Sequence, residues 1–97
     1  MKFEWDSRKA RANRVKHGVE FPEAATVFYD PHGLDLPDPK HSTEREVRML
    51  RLGMSFYSRV LLVVYTERRL ERGEETIRII SARRANQEER AVYVRHL

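Results

Sequence analysis

The sequence is 97 residues long, contains no cysteine, and carries 19 Lys/Arg against 15 Asp/Glu, for a net charge of +4. This length is typical of one domain, and we predict a single domain over residues 1–97. The lack of cysteine excludes disulfides and thiolate metal sites. No apolar stretch approaches the ~20 residues of a membrane helix, so we expect a cytoplasmic protein without a membrane partner.

The N-terminal segment is predicted to form a short strand and then a helix. "KFEW" at 2–5 alternates polar and apolar residues, as a strand does. Asp6 is a good N-cap, and "SRKARANRVKH" at 7–17 contains no helix breaker before Gly18, which is a good C-cap. This helix has few apolar residues. One of its faces carries the polar side chains Lys9, Asn13, Lys16 and His17.

A second short helix and a loop are predicted next. "FPEAATVF" at 21–28 has an apolar stripe that consists of Phe21, Ala24, Val27 and Phe28. Residues 30–42 contain three prolines and a glycine, so we expect mostly loop, with a brief edge strand around Leu34–Leu36.

The second half of the chain predicts three strands and a final helix. The strands lie at 46–53, 59–68 and 75–83, and "RLERGE" at 69–74 is a turn between the last two. Asn86 and Glu89 have the spacing of a capping box at the start of the last helix. The predicted fold is therefore α+β: a small antiparallel sheet, made of a three-stranded meander plus the N-terminal strand, with two N-terminal helices and one C-terminal helix.

The histidines do not predict a metal site. No pair of the four has the short spacing of zinc ligands, and the chain lacks a Gly-rich phosphate loop and a nucleophile elbow. We therefore predict neither a metal nor a cofactor. The remaining functions are catalysis without a metal or binding without catalysis.

Arginine dominates the positive charge of the second half. Residues 45–97 contain twelve cations, all arginine, against seven acids. Arg48 and Arg51 should point to opposite faces of their strand, and so should the adjacent pair Arg83 and Arg84. Guanidinium groups suit phosphate oxygens, which indicates nucleic acid, although each arginine could also be a solvated charge at a sheet edge.

Several motifs together resemble one family. "FEWD" at 3–6, "NRVKHGVEFPEAATVFYD" at 13–30, "PDPKHS" at 37–42, "RLGMS" at 51–55, "VLLVVYTER" at 60–68 and "IRIISARRA" at 77–85 occur in order. In this combination the chain resembles the BrnT family of bacterial toxins. The resemblance implies a RelE-like fold and a ribonuclease that blocks translation. It also implies a BrnA-like ribbon-helix-helix antitoxin, whose complex with the toxin binds operator DNA.

The resemblance also implies which residues act on RNA. In RNA cleavage without metal, the 2′-hydroxyl attacks the adjacent phosphate, which requires a base, an acid and cations around the phosphorane. The residues assigned to this catalysis are Lys16, His17, Arg48, Arg83 and Arg84. His41, which lies in the matching "HS", is assigned to RNA contacts. Lys9, Asn13 and Arg51 are assigned to RNA contacts as well, and Lys9 and Asn13 share the helix face of Lys16 and His17.

Two alternatives stay open. Lys16 and His17 could simply end a helix at Gly18, where cations are favoured by the helix dipole. The arginine-rich chain could also be a binding module for nucleic acid or a protein partner, without catalysis.

Overall fold

The first helix begins and ends at the predicted residues. The protein, described here by a computed structural model over residues 1–69 and 72–97, has α1 at Ser7–His17. The Asp6 carboxylate accepts hydrogen bonds from the backbone N–H groups of Arg8 and Lys9, at 2.8 and 3.1 Å. Gly18 has φ 68°, a left-handed conformation that favours glycine, and its N–H bonds to Arg14.

The second helix supplies much of the core. Helix α2 covers Phe21–Thr26 and continues into a 3-10 turn at Val27–Tyr29. Three residues of the predicted apolar stripe are buried, namely Phe21, Ala24 and Val27, and Phe28 packs against them.

A five-stranded sheet follows the order β1-β5-β4-β3-β2. The strands are β1 at Lys2–Glu4, β2 at Leu34–Pro37, β3 at Met49–Met54, β4 at Val60–Arg69 and β5 at Glu75–Arg84. The predicted edge strand is thus present as β2, antiparallel to β3.

We had predicted an antiparallel sheet, but the sheet is mixed. β1 runs parallel to β5, because the chain leaves β1 into α1 and crosses the sheet before β5 returns beside it. β3 also begins at Met49 instead of residue 46, since the Arg48 backbone bonds to the preceding loop. Part of the predicted turn at 69–74 lies outside the described residues.

The two faces of the sheet are covered differently. The helix face, defined by Leu61, Val63 and Tyr65, packs against α1 and α2. The open face carries Leu50, Leu52, Leu62, Val64, Ser81 and Arg83, which the strand register places on the same side. Helix α3 at Gln87–Arg95 covers only the end of the open face around Leu52 and Leu62.

Helix α3 is fixed at both ends. Asn86 and Glu89 form the predicted capping box, with bonds of 2.8 and 2.9 Å. Farther along, the buried Tyr93 hydroxyl donates to the Asp30 carboxylate at 2.6 Å. Burial and this bond raise the pKa of Tyr93 to about 12. No helix within the described residues is long and apolar enough to cross a membrane.

Candidate active site on the open face of the sheet

The part of the open face that α3 leaves uncovered forms a cleft of about 330 Å³. Its floor comes from three adjacent strands, and one wall comes from the loop before β3. The lining residues are Asp38, His41, Arg48, Leu50, Leu62, Val64, Ser81 and Arg83. The cleft therefore combines two guanidinium groups and an imidazole over an apolar floor.

Arg48 lies at the junction of the loop and β3. Its backbone N–H donates to the Ser42 hydroxyl at 2.9 Å, and its carbonyl accepts from the Asp38 N–H at 3.0 Å. The side-chain Nε donates to Glu46 at 3.0 Å. Neither Nη of Arg48 bonds to another described residue, so both can donate to a ligand in the cleft.

Arg83 faces the same cleft from β5. It pairs with Leu62 in the sheet register, which sets its side chain on the open face. Glu89 of α3 binds it through two hydrogen bonds, from Nη1 at 2.7 Å and from Nη2 at 2.8 Å. The bond to Arg83 holds the pKa of Glu89 below its usual range. Arg83 is therefore oriented before any ligand binds, and its side chain stays 40% exposed.

His41 is held by a carboxylate on the wall of the cleft. Its Nδ1 lies 2.9 Å from Oδ2 of Asp38 and 3.2 Å from Oδ1. The Asp38 side chain is only 13% exposed, whereas the imidazole is 59% exposed. The half-buried carboxylate thus orients an accessible ring.

Lys16, His17 and Arg84 lie on the other side of the sheet. Lys16 and His17 form the last turn of α1, which packs on the helix face, and Lys16 is exposed while His17 is half-buried. Arg84 pairs with Leu61 in the register and so points to the helix face, opposite to Arg83. The structure therefore divides the predicted catalytic residues into two groups, of which only Arg48 and Arg83 share the cleft.

An ion pair between a buried carboxylate and a half-buried arginine lies beside the end of α1. Glu23 of α2 binds Arg59 through both carboxylate oxygens and accepts the Ser55 hydroxyl at 2.7 Å. Arg59 also reaches the Gly18 carbonyl, at 3.4 Å. The hydrogen bond from Arg59 lowers the pKa of Glu23 and raises that of Arg59. These groups fix the corner at which α1 ends.

Two of the four residues assigned to RNA contacts are engaged within the fold. The Asn13 side chain is buried and bonds to the backbone of Val19 and Ala82. Arg51 lies on the helix face, where it binds Asp35 at 2.6 Å and two backbone carbonyls. Lys9 is exposed on α1, away from the cleft. Only His41 of these four lines the cleft.

No cluster of three or more His, Cys, Asp or Glu that could hold a metal occurs within residues 1–69 and 72–97. The polar groups that the cleft offers are two guanidinium groups, an imidazole with its carboxylate partner, and a hydroxyl. They can bind an anion and transfer a proton.

Comparison with known proteins identifies the family. A family model described as the ribonuclease toxin BrnT of type II toxin–antitoxin systems matches residues 5–89. The chain belongs to the BrnT family. A 1.1 Å crystal structure of the Brucella abortus ribonuclease toxin BrnT matches with a TM-score of 0.61 and 24% identity, over 90% of this chain and 99% of that one. No curated protein sequence matches.

The α+β class and the resemblance to BrnT are thereby confirmed. Three polar residues at the site of this BrnT-family chain were not among the predicted site residues: Asp38 and Ser81, which line the cleft, and Glu89, which binds Arg83. Asp38 and His41 are three residues apart in "PDPKH", a spacing at which a tight turn brings side chains together. The sequence does not indicate that Glu89 contacts the cleft, because its position in the capping box already accounts for a glutamate there.

Proposed function

We propose that this chain is a metal-independent endoribonuclease toxin that acts in the cytoplasm and cuts RNA to inhibit translation. The observation that carries the proposal is the cleft, in which Arg48 and Arg83 flank an apolar floor beside His41. Membership of a family of ribonuclease toxins supports the same conclusion.

The two arginines suit the phosphate that would be cleaved. Arg48 offers both Nη groups, and Arg83 is held by Glu89 with its Nε directed to no described acceptor. As the 2′-oxygen attacks phosphorus, negative charge grows on the equatorial phosphate oxygens. Oriented guanidinium groups stabilise this charge more than that of the ground state, which lowers the barrier.

Lys16, His17 and Arg84 are proposed as a second basic surface at the end of α1. They lie on the helix face, whereas Arg48 and Arg83 lie on the open face, so a single phosphate cannot contact both sets of residues through the sheet. An RNA chain that passes over the edge of the sheet could reach both. The catalytic role of Lys16 and His17 stays a prediction, and the alternative is that they only end the helix at Gly18.

The cleavage proposal can be tested with purified protein and RNA in EDTA. We expect cleavage, and we expect expression of the chain alone to stop growth. Arg48→Ala and Arg83→Ala should each lose activity, whereas Arg69→Ala, an exposed arginine at the far end of β4, should not. Intact RNA in the presence of folded protein would contradict the proposal, and RNA binding without cleavage would favour a binding module.

We propose that the partner is a BrnA-like ribbon-helix-helix antitoxin, and that the complex binds operator DNA. Type II systems pair a toxin with a protein antitoxin, which supports this proposal. Co-expression with the product of the adjacent reading frame should restore growth, and the two proteins should co-purify. Growth arrest that this product does not relieve would argue against the pairing.

A further inference from the structure

We infer that His41 and Asp38 form the proton-transfer pair of the cleft, with His41 as the general base and Asp38 as its positioning residue. The inference rests on the proposed function and deepens it. It assigns His41 a catalytic role, where the sequence predicts only RNA contact.

The turn that carries both residues is built by a set of short-range bonds. The His41 N–H donates to the Asp38 carbonyl at 3.3 Å, and the Ser42 hydroxyl donates to the same carbonyl at 2.7 Å. Ser42 Oγ also accepts the Arg48 N–H. The backbone of the turn is therefore tied to Arg48, so the imidazole and the guanidinium share one frame.

The carboxylate determines which imidazole nitrogen is free. A carboxylate ionised near neutral pH can only accept, so Nδ1 must carry the proton that bonds to Asp38. Nε2 then has a lone pair, and no described residue donates a hydrogen bond to it. An imidazole in this tautomer can accept a proton from a ligand in the cleft.

Of the eight described residues that line the cleft, His41 is the only one with an imidazole, the side chain that most often serves as a general base in enzymes. The charged groups that face it are Asp38 from its own turn, Arg48 from the start of β3 and Arg83 from β5. Glu46 and Glu89 pair with these two arginines.

The step that follows is a transesterification. The 2′-hydroxyl gives its proton to Nε2 of His41 while its oxygen forms a bond to phosphorus. Arg48 and Arg83 stabilise the phosphorane. The bond from phosphorus to the 5′-oxygen then breaks, and the leaving oxygen takes a proton from water. His41 returns its proton to solvent, and the products are a 2′,3′-cyclic phosphate and a 5′-hydroxyl.

The test compares single-turnover cleavage with binding. The cleavage probe is a labelled single-stranded RNA, and the binding probe is the same oligonucleotide with 2′-O-methyl groups, which lacks the nucleophile. His41→Ala should lower kcat by about 100- to 10,000-fold and leave the Kd for the methylated RNA almost unchanged. His32→Ala is the matched control, because that exposed histidine lies outside the cleft.

Asp38 needs a readout that a merely structural role would not change. Asp38→Asn should lower kcat by about tenfold or more at equal Kd, since an amide no longer fixes the tautomer, and Asp38→Glu should recover part of the loss. In the wild type, log kcat should fall at low pH, because a base that already carries a proton cannot accept the 2′-hydroxyl proton. The His41→Ala variant should lack this limb of the profile.

Each result decides between outcomes. Loss of kcat with retained Kd, and loss of the low-pH limb, would support the assignment. Cleavage by the His41→Ala variant at the wild-type rate, or a parallel fall in its affinity and kcat, would overturn the assignment of His41 as the base. Neither result would contradict the proposal that the chain is a ribonuclease. Cleavage lost instead in His17→Ala would move the base to the end of α1. RNA left intact by the wild type would refute the ribonuclease proposal, and this inference with it.

Discussion

Replacing Asn13 by alanine should destabilise the protein more than any other single change on α1. The side chain is 6% exposed and makes three hydrogen bonds: Nδ2 donates to the Val19 carbonyl at 2.9 Å and to the Ala82 carbonyl at 2.8 Å, and Oδ1 accepts the Ala82 N–H at 3.0 Å. β1 pairs with β5 only at Thr76–Arg78, so Ala82 lies beyond the end of β1. The Asn13 amide takes the place of the missing strand there.

The magnitude follows from these bonds. A buried hydrogen bond contributes about 1 kcal/mol net, and a buried group left without a partner costs about 1–3 kcal/mol. The higher helix propensity of alanine offsets about 0.5 kcal/mol of this loss in stability. We therefore expect Asn13→Ala to lower the free energy of unfolding by about 3 kcal/mol, which for a domain of this size lowers Tm by about 12 °C or more.

Urea unfolding followed by circular dichroism measures this loss. The matched control is Arg14→Ala, the exposed neighbour on the same helix, which should change the free energy of unfolding by less than about 0.5 kcal/mol. A loss below about 1 kcal/mol for Asn13→Ala would refute the reasoning, because it would mean that water replaces the amide at Ala82 at almost no cost.

Three further predictions concern separate contacts. Because Arg59 lowers the pKa of Glu23 in the folded protein, the ionised carboxylate stabilises the fold above about pH 5, and this stability is lost as the pH falls. Glu23→Gln should remove that part of the pH dependence of the free energy of unfolding in urea titrations from pH 7 to pH 3. An unchanged pH dependence would count against this role of Glu23. Tyr93→Phe should lower the free energy of unfolding by about 1.5–3 kcal/mol, since it removes a bond to the ionised Asp30, and a melt equal to that of the wild type would show that the bond is not needed. Arg48→Ala should reduce the slope of log K against log salt for single-stranded RNA by about 0.7, and an unaltered slope would exclude a phosphate contact.

The sequence predicts the elements well where local chemistry decides them. Asp6 and Gly18 set both ends of α1, and Asn86 with Glu89 sets the start of α3, because caps act over only a few residues. The parallel pairing of β1 with β5 was not predicted. It depends on how the chain crosses the sheet, which no local pattern records.

The candidate site was predicted only in part, since the sequence shows which residues are present but not which face they occupy. Strand alternation correctly separates Arg83 from Arg84. Arg48 and Arg51 also lie on opposite faces as predicted, although Arg48 precedes β3. It does not show which member of each pair faces a cleft. The polar face of α1 was interpreted as a ligand surface, yet Asn13 on that face satisfies the backbone of β5.

Glu89 couples the stability of α3 to the orientation of Arg83. The same carboxylate closes the capping box of α3 and binds Arg83 in the cleft. Under the proposed function, a replacement of Glu89 that frees Arg83 for a phosphate would also weaken the start of the helix, so tighter RNA binding and a less stable fold would arise from one mutation. Any variant selected for stronger RNA affinity at this position would therefore begin with a stability deficit, and would need a compensating change elsewhere in the chain.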